Sequence, residues 1–228
     1  MSVQLPLHIG LRDSATFTNF YPANNEQLVA ELRRCAVNQG EHFIFLHGIT
    51  GTGKSHCLQA VCHDASTQRL QTTYLPMREI QSMPVDLLEG LEQLDIVCID
   101  DIDLIAGDEQ WEVAIFNLYN RIRDNSGSLI VAANAKFDEL DLVLKDLQSR
   151  LAWGLVFKLE SLDDTALATA LQLRAKIRGM ELPDDVVAYI LKRSTREMNA
   201  LFSLLEKLDR ESLVEQRKLT IPFVKNYL

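Results

Sequence analysis

Five short apolar runs, spaced by segments of helical period, set the rhythm of the first 160 residues. Phe43-Ile44-Phe45-Leu46-His47, Gln71-Thr72-Thr73-Tyr74-Leu75, Asp95-Ile96-Val97-Cys98-Ile99, Ser128-Leu129-Ile130-Val131-Ala132-Ala133 and Leu155-Val156-Phe157-Lys158-Leu159 read as strands. Near-continuous apolar runs of this length are what strands buried on both faces show. Between them, helical periodicity predicts helices over about 25–38, from Ser55 to Leu70, within 77–93, over Glu109 to Asp124, and over Leu140 to Leu151. Trp111, Ala114, Ile115, Leu118 and Ile122 share one face of the fourth. Strands alternating with helices predict an α/β fold, a five-stranded parallel sheet with helices on both faces.

The pattern changes after Glu160. Ser161 to Asp164 is a polar break with capping residues for a helix over Thr165–Arg178, which Gly179 stops. Pro183-Asp184-Asp185 opens another, Glu197 to Leu208 puts Met198, Leu201, Phe202, Leu205 and Leu208 on one face, and a last helix follows Ile221-Pro222. The chain is therefore read as an α/β domain over 13–160 and a small all-helical domain over 161–228, preceded by a peptide over 1–12. That peptide alternates, Gln4-Leu5-Pro6-Leu7-His8-Ile9, as an extended segment that docks in an apolar groove would; a plain tail is the other reading.

Chemistry enters at Gly48-Ile49-Thr50-Gly51-Thr52-Gly53-Lys54-Ser55, which fits G-x-x-x-x-G-K-[ST] between a strand and a helix. Glycines let backbone N–H groups converge on a phosphate chain, and the helix N-terminus adds partial positive charge. Lys54 would reach the outer phosphates and Ser55 would offer an oxygen to Mg²⁺. Gly48, Thr50, Gly51, Thr52, Gly53, Lys54, Ser55 and His56 form the candidate cofactor-binding loop. Asp100 and Asp101 end the third strand, on the edge where open α/β sheets bind ligands. Asp100 would hold Mg²⁺ through water, and Asp101 could orient or deprotonate an attacking water. Asn134 ends the fourth strand, facing an outermost phosphate or the water, or simply making a turn. Phe20 and Tyr21 precede the first helix, either as core or as walls for a base.

Charge narrows the partners. Residues 1–160 carry 12 basic against 22 acidic side chains, and residues 161–228 carry 11 against 10. An acidic body disfavours non-specific DNA binding, leaving DNA contact weak or indirect. It also argues against a small-molecule kinase, whose lid would need cations for an acceptor phosphate. Cys35, Cys57, Cys62 and Cys98 show neither metal nor redox spacing, which suits a reducing compartment. No apolar stretch reaches membrane-span length and no signal pattern opens the chain, so a cytoplasmic location and no membrane partner are expected.

Phosphate loop, Asp-Asp strand, strand-end Asn, and a Ser-Arg-Leu segment with Trp-Gly ahead of a helical domain together resemble the AAA+ ATPases. Within these the chain looks like the bacterial replication-initiator (DnaA) branch. Thr16-Phe17-Thr18-Asn19-Phe20 is similar to its opening box, Ile99-Asp100-Asp101-Ile102 to its Mg²⁺ strand, and Ser149-Arg150-Leu151-Ala152-Trp153-Gly154 to its Ser-Arg-Phe-Gly-Trp-Gly box. Gln4, Leu5, Leu7 and Ile9 lie in a segment similar to the Gln-Leu-[Ser/Pro]-Leu-x-Leu peptide that binds the replicative sliding clamp. The resemblance implies an adenine nucleotide, ADP or ATP, with Mg²⁺, another nucleoside diphosphate being the alternative. It also implies an arginine finger, Arg150, offered to the ATP of a DnaA-type initiator. A regulator that stimulates the initiator's hydrolysis is the expected function, with a self-sufficient ATPase such as a helicase loader as the alternative. A homodimer is left open. One departure stands out: the family usually places Arg where this chain has Asn199. Arg196, one helical turn earlier, is the candidate substitute at the phosphates, and weak hydrolysis by the chain itself is expected.

Overall fold

A computed structural model describes residues 15–228; Gln4, Leu5, Leu7 and Ile9 lie outside the described residues. The chain divides into two compact units, residues 15–17 with Glu26–Leu159, and Thr18–Asn25 with Glu160–Leu228.

The first unit runs α1 (Glu26–Cys35), β1 (Phe43–His47), α2 (Lys54–Thr67), β2 (Thr72–Pro76), a single turn α3 (Met77–Ile80), β3 (Ile96–Asp100), α4 (Glu109–Asp124), β4 (Ser128–Ala133), α5 (Lys145–Leu151) and β5 (Leu155–Lys158). The strands form one sheet in the order β2-β3-β4-β1-β5, and every pairing is parallel. Because side chains alternate along a strand, Phe45, Leu75, Val97, Ile99, Leu129 and Val131 face one core with Trp111, Ile115, Leu118 and Ile122 of α4. The intervening Ile44, Leu46, Ile96, Cys98, Ile130 and Ala132 are equally buried. α2 is buried along most of its length, at Cys57, Leu58, Ala60, Val61, Cys62 and Ala65. It is thus a central element and not a one-sided surface helix.

Three sequence expectations are corrected. Residues 77–93 do not make one helix. Pro84 is extended and Gly90 is left-handed at φ 81°, which breaks the stretch into α3 and two 3-10 turns, Val85–Leu88 and Leu91–Gln93. The fifth helix starts at Lys145, not at Leu140. The buried carboxylate of Glu112 accepts backbone N–H bonds from Val143 (3.1 Å), Leu144 (2.7 Å) and Gly107 (2.8 Å), so those amides are taken by a side chain from α4. Finally, β5 is an edge strand, exposed or half-exposed along its length, and not a fifth buried one. It can approach β1 because Gly154 precedes it: a Cβ there would lie 1.8 Å from the Phe43 carbonyl oxygen.

The second unit is helical: α6 (Asp164–Ile177), α7 (Asp184–Arg193), α8 (Met198–Glu215) and α9 (Ile221–Val224). Asp163 caps α6 through the Ala166 N–H at 2.8 Å, and Gly179, left-handed at φ 75°, follows its end. Leu167, Leu171, Val186, Val187, Ile190, Leu201, Leu205, Leu208 and Phe223 make its own core. The segment Thr18–Asn25 belongs here. Asn25, buried, donates to the Glu160 carbonyl (3.3 Å) and accepts from the Glu160 N–H (2.9 Å). No helix among the described residues is long and apolar enough to cross a membrane.

Candidate nucleotide-binding site

The glycine loop leaves β1 between the ends of β4 and β5, its neighbours in the sheet. Gly48 is pinned there: its N–H donates to the Ala133 carbonyl at 3.3 Å, and a Cβ would meet the Leu159 carbonyl at 2.6 Å. Gly51 and Gly53 hold φ of 88° and 103°, a region that L side chains rarely enter. Gly53 precedes α2 without a side-chain cap, so the first amides of α2 are left for an outside acceptor. Thr52 Oγ1 donates to the Ile49 carbonyl at 2.9 Å and stiffens the turn.

Lys54 is only 5% exposed. Its Nζ donates to the carbonyls of Gly48 (2.7 Å) and Ile49 (3.1 Å) and to Asn134 Oδ1 (3.0 Å). Thr50 Oγ1 donates to the same Asn134 oxygen at 3.2 Å. Burial pushes the Lys54 ammonium below its usual value, while Asp100, Asp101 and Asp103 hold it up. Three acceptors match its three donors, and an anion laid across the loop would compete for them.

Asp100 ends β3, 2% exposed. Tyr74 Oη donates to its Oδ2 at 2.6 Å and the Asp101 N–H to its Oδ1 at 3.1 Å. Burial raises its carboxyl pKa above the ordinary 3.8, opposed by hydrogen bonds from Ser55 and Tyr74. Asp100 and Ser55 therefore stand together as hard oxygen donors beside the phosphate loop, which suits Mg²⁺. Among the described residues no three His, Cys, Asp or Glu side chains cluster as a metal site. A cation here would fill its remaining positions with water and phosphate oxygens, the usual habit of Mg²⁺.

Other expected site residues are placed as follows. Asp101 is left-handed, φ 55°, and its Oδ2 accepts from Arg78 Nε (3.3 Å) and Nη2 (3.2 Å). That oxygen is thus already engaged by Arg78 and would have to leave the guanidinium to take a proton from water. The His56 ring Nε2 meets the Thr16 carbonyl at 2.8 Å, so it ties α2 to the segment before α1. Phe20 and Tyr21 lie in the second unit with Asn199 and Arg196. Arg196 Nη2 donates to Asp164 Oδ2 at 2.9 Å, and both side chains are exposed. Arg150, half-buried at the end of α5, packs its guanidinium over Trp153 (5.0 Å), Tyr119 (5.8 Å) and Phe116 (6.0 Å).

Comparison with known proteins gives this arrangement a family. Residues 11–158 match the model of the bacterial DnaA ATPase domain, and residues 163–228 match the Hda lid domain. The chain belongs to the bacterial DnaA ATPase-domain family. Domain III of the Thermotoga maritima replication initiation protein DnaA is similar in fold, at 22% identity over 96% of this chain and 97% of that one, TM-score 0.81. AMPPCP-bound DnaA from Aquifex aeolicus is similar at 24% identity over 90% and 71%, TM-score 0.71. The Thermotoga maritima RuvB Holliday junction branch migration motor is more distant, at 15% identity over 90% and 67%, TM-score 0.67. At these identities the likeness is one of fold, a five-stranded AAA+ sheet followed by a helical lid.

Within this DnaA-family site the sequence reading missed two residues. Asp103 accepts the Asn134 backbone N–H at 2.9 Å on Oδ1 and the Asn134 Nδ2 at 2.8 Å on Oδ2. Arg78 covers Asp101. Asp103 sits two positions beyond the Asp-Asp pair, but nothing in the chain signals its pairing with Asn134, and no signal points to Arg78.

Proposed function

We propose that this chain is a regulatory AAA+ module of the Hda type, which binds an adenine nucleotide with Mg²⁺ and stimulates ATP hydrolysis by a DnaA-type replication initiator. In this reading Gln4, Leu5, Leu7 and Ile9 attach it to the replicative sliding clamp, and the stimulated hydrolysis prevents over-initiation in the cytoplasm. The four free, buried thiols suit that compartment. DNA is reached indirectly through the clamp.

The observation that carries the proposal is the setting of Arg150. Its guanidinium lies over three aromatic rings, and among the described residues it makes no ion pair with a carboxylate. Rings restrain an arginine without neutralising it, at about 0.5–1 kcal/mol each at exposed sites. Such a cation is available for charge developing on a transferring phosphoryl group in a partner, a role worth roughly 10³–10⁵ in rate where measured. The order of matches, a DnaA ATPase domain followed directly by an Hda lid, supports the same reading. A homodimer that covered Arg150 would have to open first.

The self-sufficient ATPase is the weaker reading. Arg78 holds the carboxylate of Asp101, and Asn199 brings no charge to the lid. The test mixes the chain with DNA-loaded clamp and ATP-loaded initiator and follows phosphate release. Wild type should accelerate release by the initiator, and Arg150→Ala should lose most of the stimulation while keeping its own nucleotide. Full stimulation by Arg150→Ala refutes the finger. Equally fast turnover by the chain alone favours the helicase-loader type of activity.

A further inference from the structure

Asn134 is held from two sides. On one, Lys54 Nζ and Thr50 Oγ1 both donate to its Oδ1, at 3.0 Å and 3.2 Å. On the other, the Asp103 carboxylate takes its backbone N–H and its Nδ2, at 2.9 Å and 2.8 Å. An ionised carboxylate only accepts, and an amide nitrogen only donates. The Asn134 amide therefore has one allowed orientation, nitrogen toward Asp103 and oxygen toward the phosphate loop. The two ends of a side-chain amide are near-isosteric, so shape alone does not choose between its orientations and the hydrogen-bond partners must. Here a reversal would set NH₂ against the Lys54 ammonium and oxygen against the Asp103 carboxylate, two repulsions at once.

We propose that Asp103 is a positioning residue that locks Asn134 in the orientation by which the site distinguishes a nucleoside triphosphate from a diphosphate. This rests on the nucleotide reading above. The Asn134 Nδ2 carries two hydrogens, and the Asp103 contact uses one; the second is left to donate to an anion beyond the loop. The Asn134 oxygen meanwhile holds Lys54 and Thr50 at the turn. Without the carboxylate the amide would be oriented from the Lys54 and Thr50 side alone, and whenever it reversed it would present an acceptor to a phosphate oxygen. A diphosphate, held by the loop amides and Lys54, would feel little of this. A triphosphate would lose an aligned donor and meet a repulsive oxygen.

The test measures dissociation constants for ADP and for the non-hydrolysable triphosphate AMPPCP, each with Mg²⁺, on the full chain. Wild type is compared with Asp103→Asn, Asn134→Ala and the double variant. Asp103→Asn preserves shape but offers one acceptor where two N–H groups need one. The expected result is an AMPPCP affinity lowered roughly tenfold, about the scale of one charge-assisted hydrogen bond, with ADP affinity within about twofold. Asn134→Ala should lower the ratio similarly, and the double variant should be no worse than either single one, because both act through one group. An unchanged AMPPCP-to-ADP ratio in folded Asp103→Asn, or losses that multiply in the double variant, overturns the clamp. Should Asp103→Asn fail to fold, Asn134→Ala still decides, since a wild-type ratio there removes anything for Asp103 to position. Wild-type protein that binds neither nucleotide overturns the nucleotide reading and the clamp with it, whereas tight wild-type binding with indifferent variants overturns the clamp alone.

Discussion

Asp100 carries a carboxylate into a place where water barely reaches, and burial raises its pKa above 3.8 against the pull of Ser55 and Tyr74. A carboxyl whose folded pKa is raised contributes stability that is full below the unfolded value and lost as pH rises through the folded one. At neutral pH the ionised Asp100 therefore costs stability in the absence of a cation. Asp100→Asn should raise the melting temperature of nucleotide-free protein at pH 7, and the gain should shrink as pH falls toward 3.8. On the proposal that Asp100 holds Mg²⁺, the same substitution should weaken nucleotide binding more with Mg²⁺ than without it. Thermal unfolding across pH, beside a nucleotide titration, checks both; a variant that melts lower than wild type at pH 7 would contradict the sign. Stability given up for a binding group is a common exchange at functional sites. The glycine loop, Lys54 and Asp100 were legible because a local spacing announces them. Asp103 and Arg78 were not, because their partners lie 31 and 23 residues away and only the sheet brings them near.

Elements were readable where one face of a helix or a whole strand is apolar. β3, β4 and α4 follow directly from their runs and periodicity. The errors fall where backbone groups are claimed from a distance. Residues 140–144 have an apolar helical spacing, yet Glu112 on α4 binds the amides of Val143 and Leu144 and that of Gly107. A Glu inside an amphipathic helix ordinarily faces solvent, so nothing in the sequence marks this one as an acceptor for two loops. Glu112→Ala would leave three N–H groups without their acceptor, at about 1–3 kcal/mol for each that stays dry. We expect a destabilisation of roughly 3 kcal/mol or more, read as a shifted denaturant midpoint. Because the Val143–Leu144 loop leads into α5, the stimulation proposed for Arg150 should fall too. A loss of under about 1 kcal/mol would mean that water replaces the carboxylate. The edge strand β5 likewise depends on a contact that periodicity does not report, the approach of Gly154 to Phe43.

For the whole molecule, the change from strand-and-helix alternation to helices alone was legible at Glu160, and the matches change model there, from 11–158 to 163–228. The grouping of Thr18–Asn25 with the helical unit was not, because it rests on the paired bonds of Asn25 with Glu160, 135 residues apart. The proposed division of labour puts partner attachment at the N-terminus and chemistry at Arg150. Deleting residues 1–10 should then abolish clamp binding in a pull-down or by surface resonance, leaving the melting temperature within a degree or so of wild type. Retained clamp binding would move the attachment site elsewhere.

Trp153 gives the chain an optical property of its own. Of the two tryptophans, Trp111 is 3% exposed and donates to the Gln81 carbonyl at 2.9 Å, whereas Trp153 is 67% exposed and lies under the Arg150 guanidinium. The indole in the core emits toward the blue, and the one on the surface toward the red. Iodide, drawn by the neighbouring cation, should quench only the red component. Any chain that seats itself on Arg150 would shield that component and shift its colour, so docking can be watched in unlabelled protein.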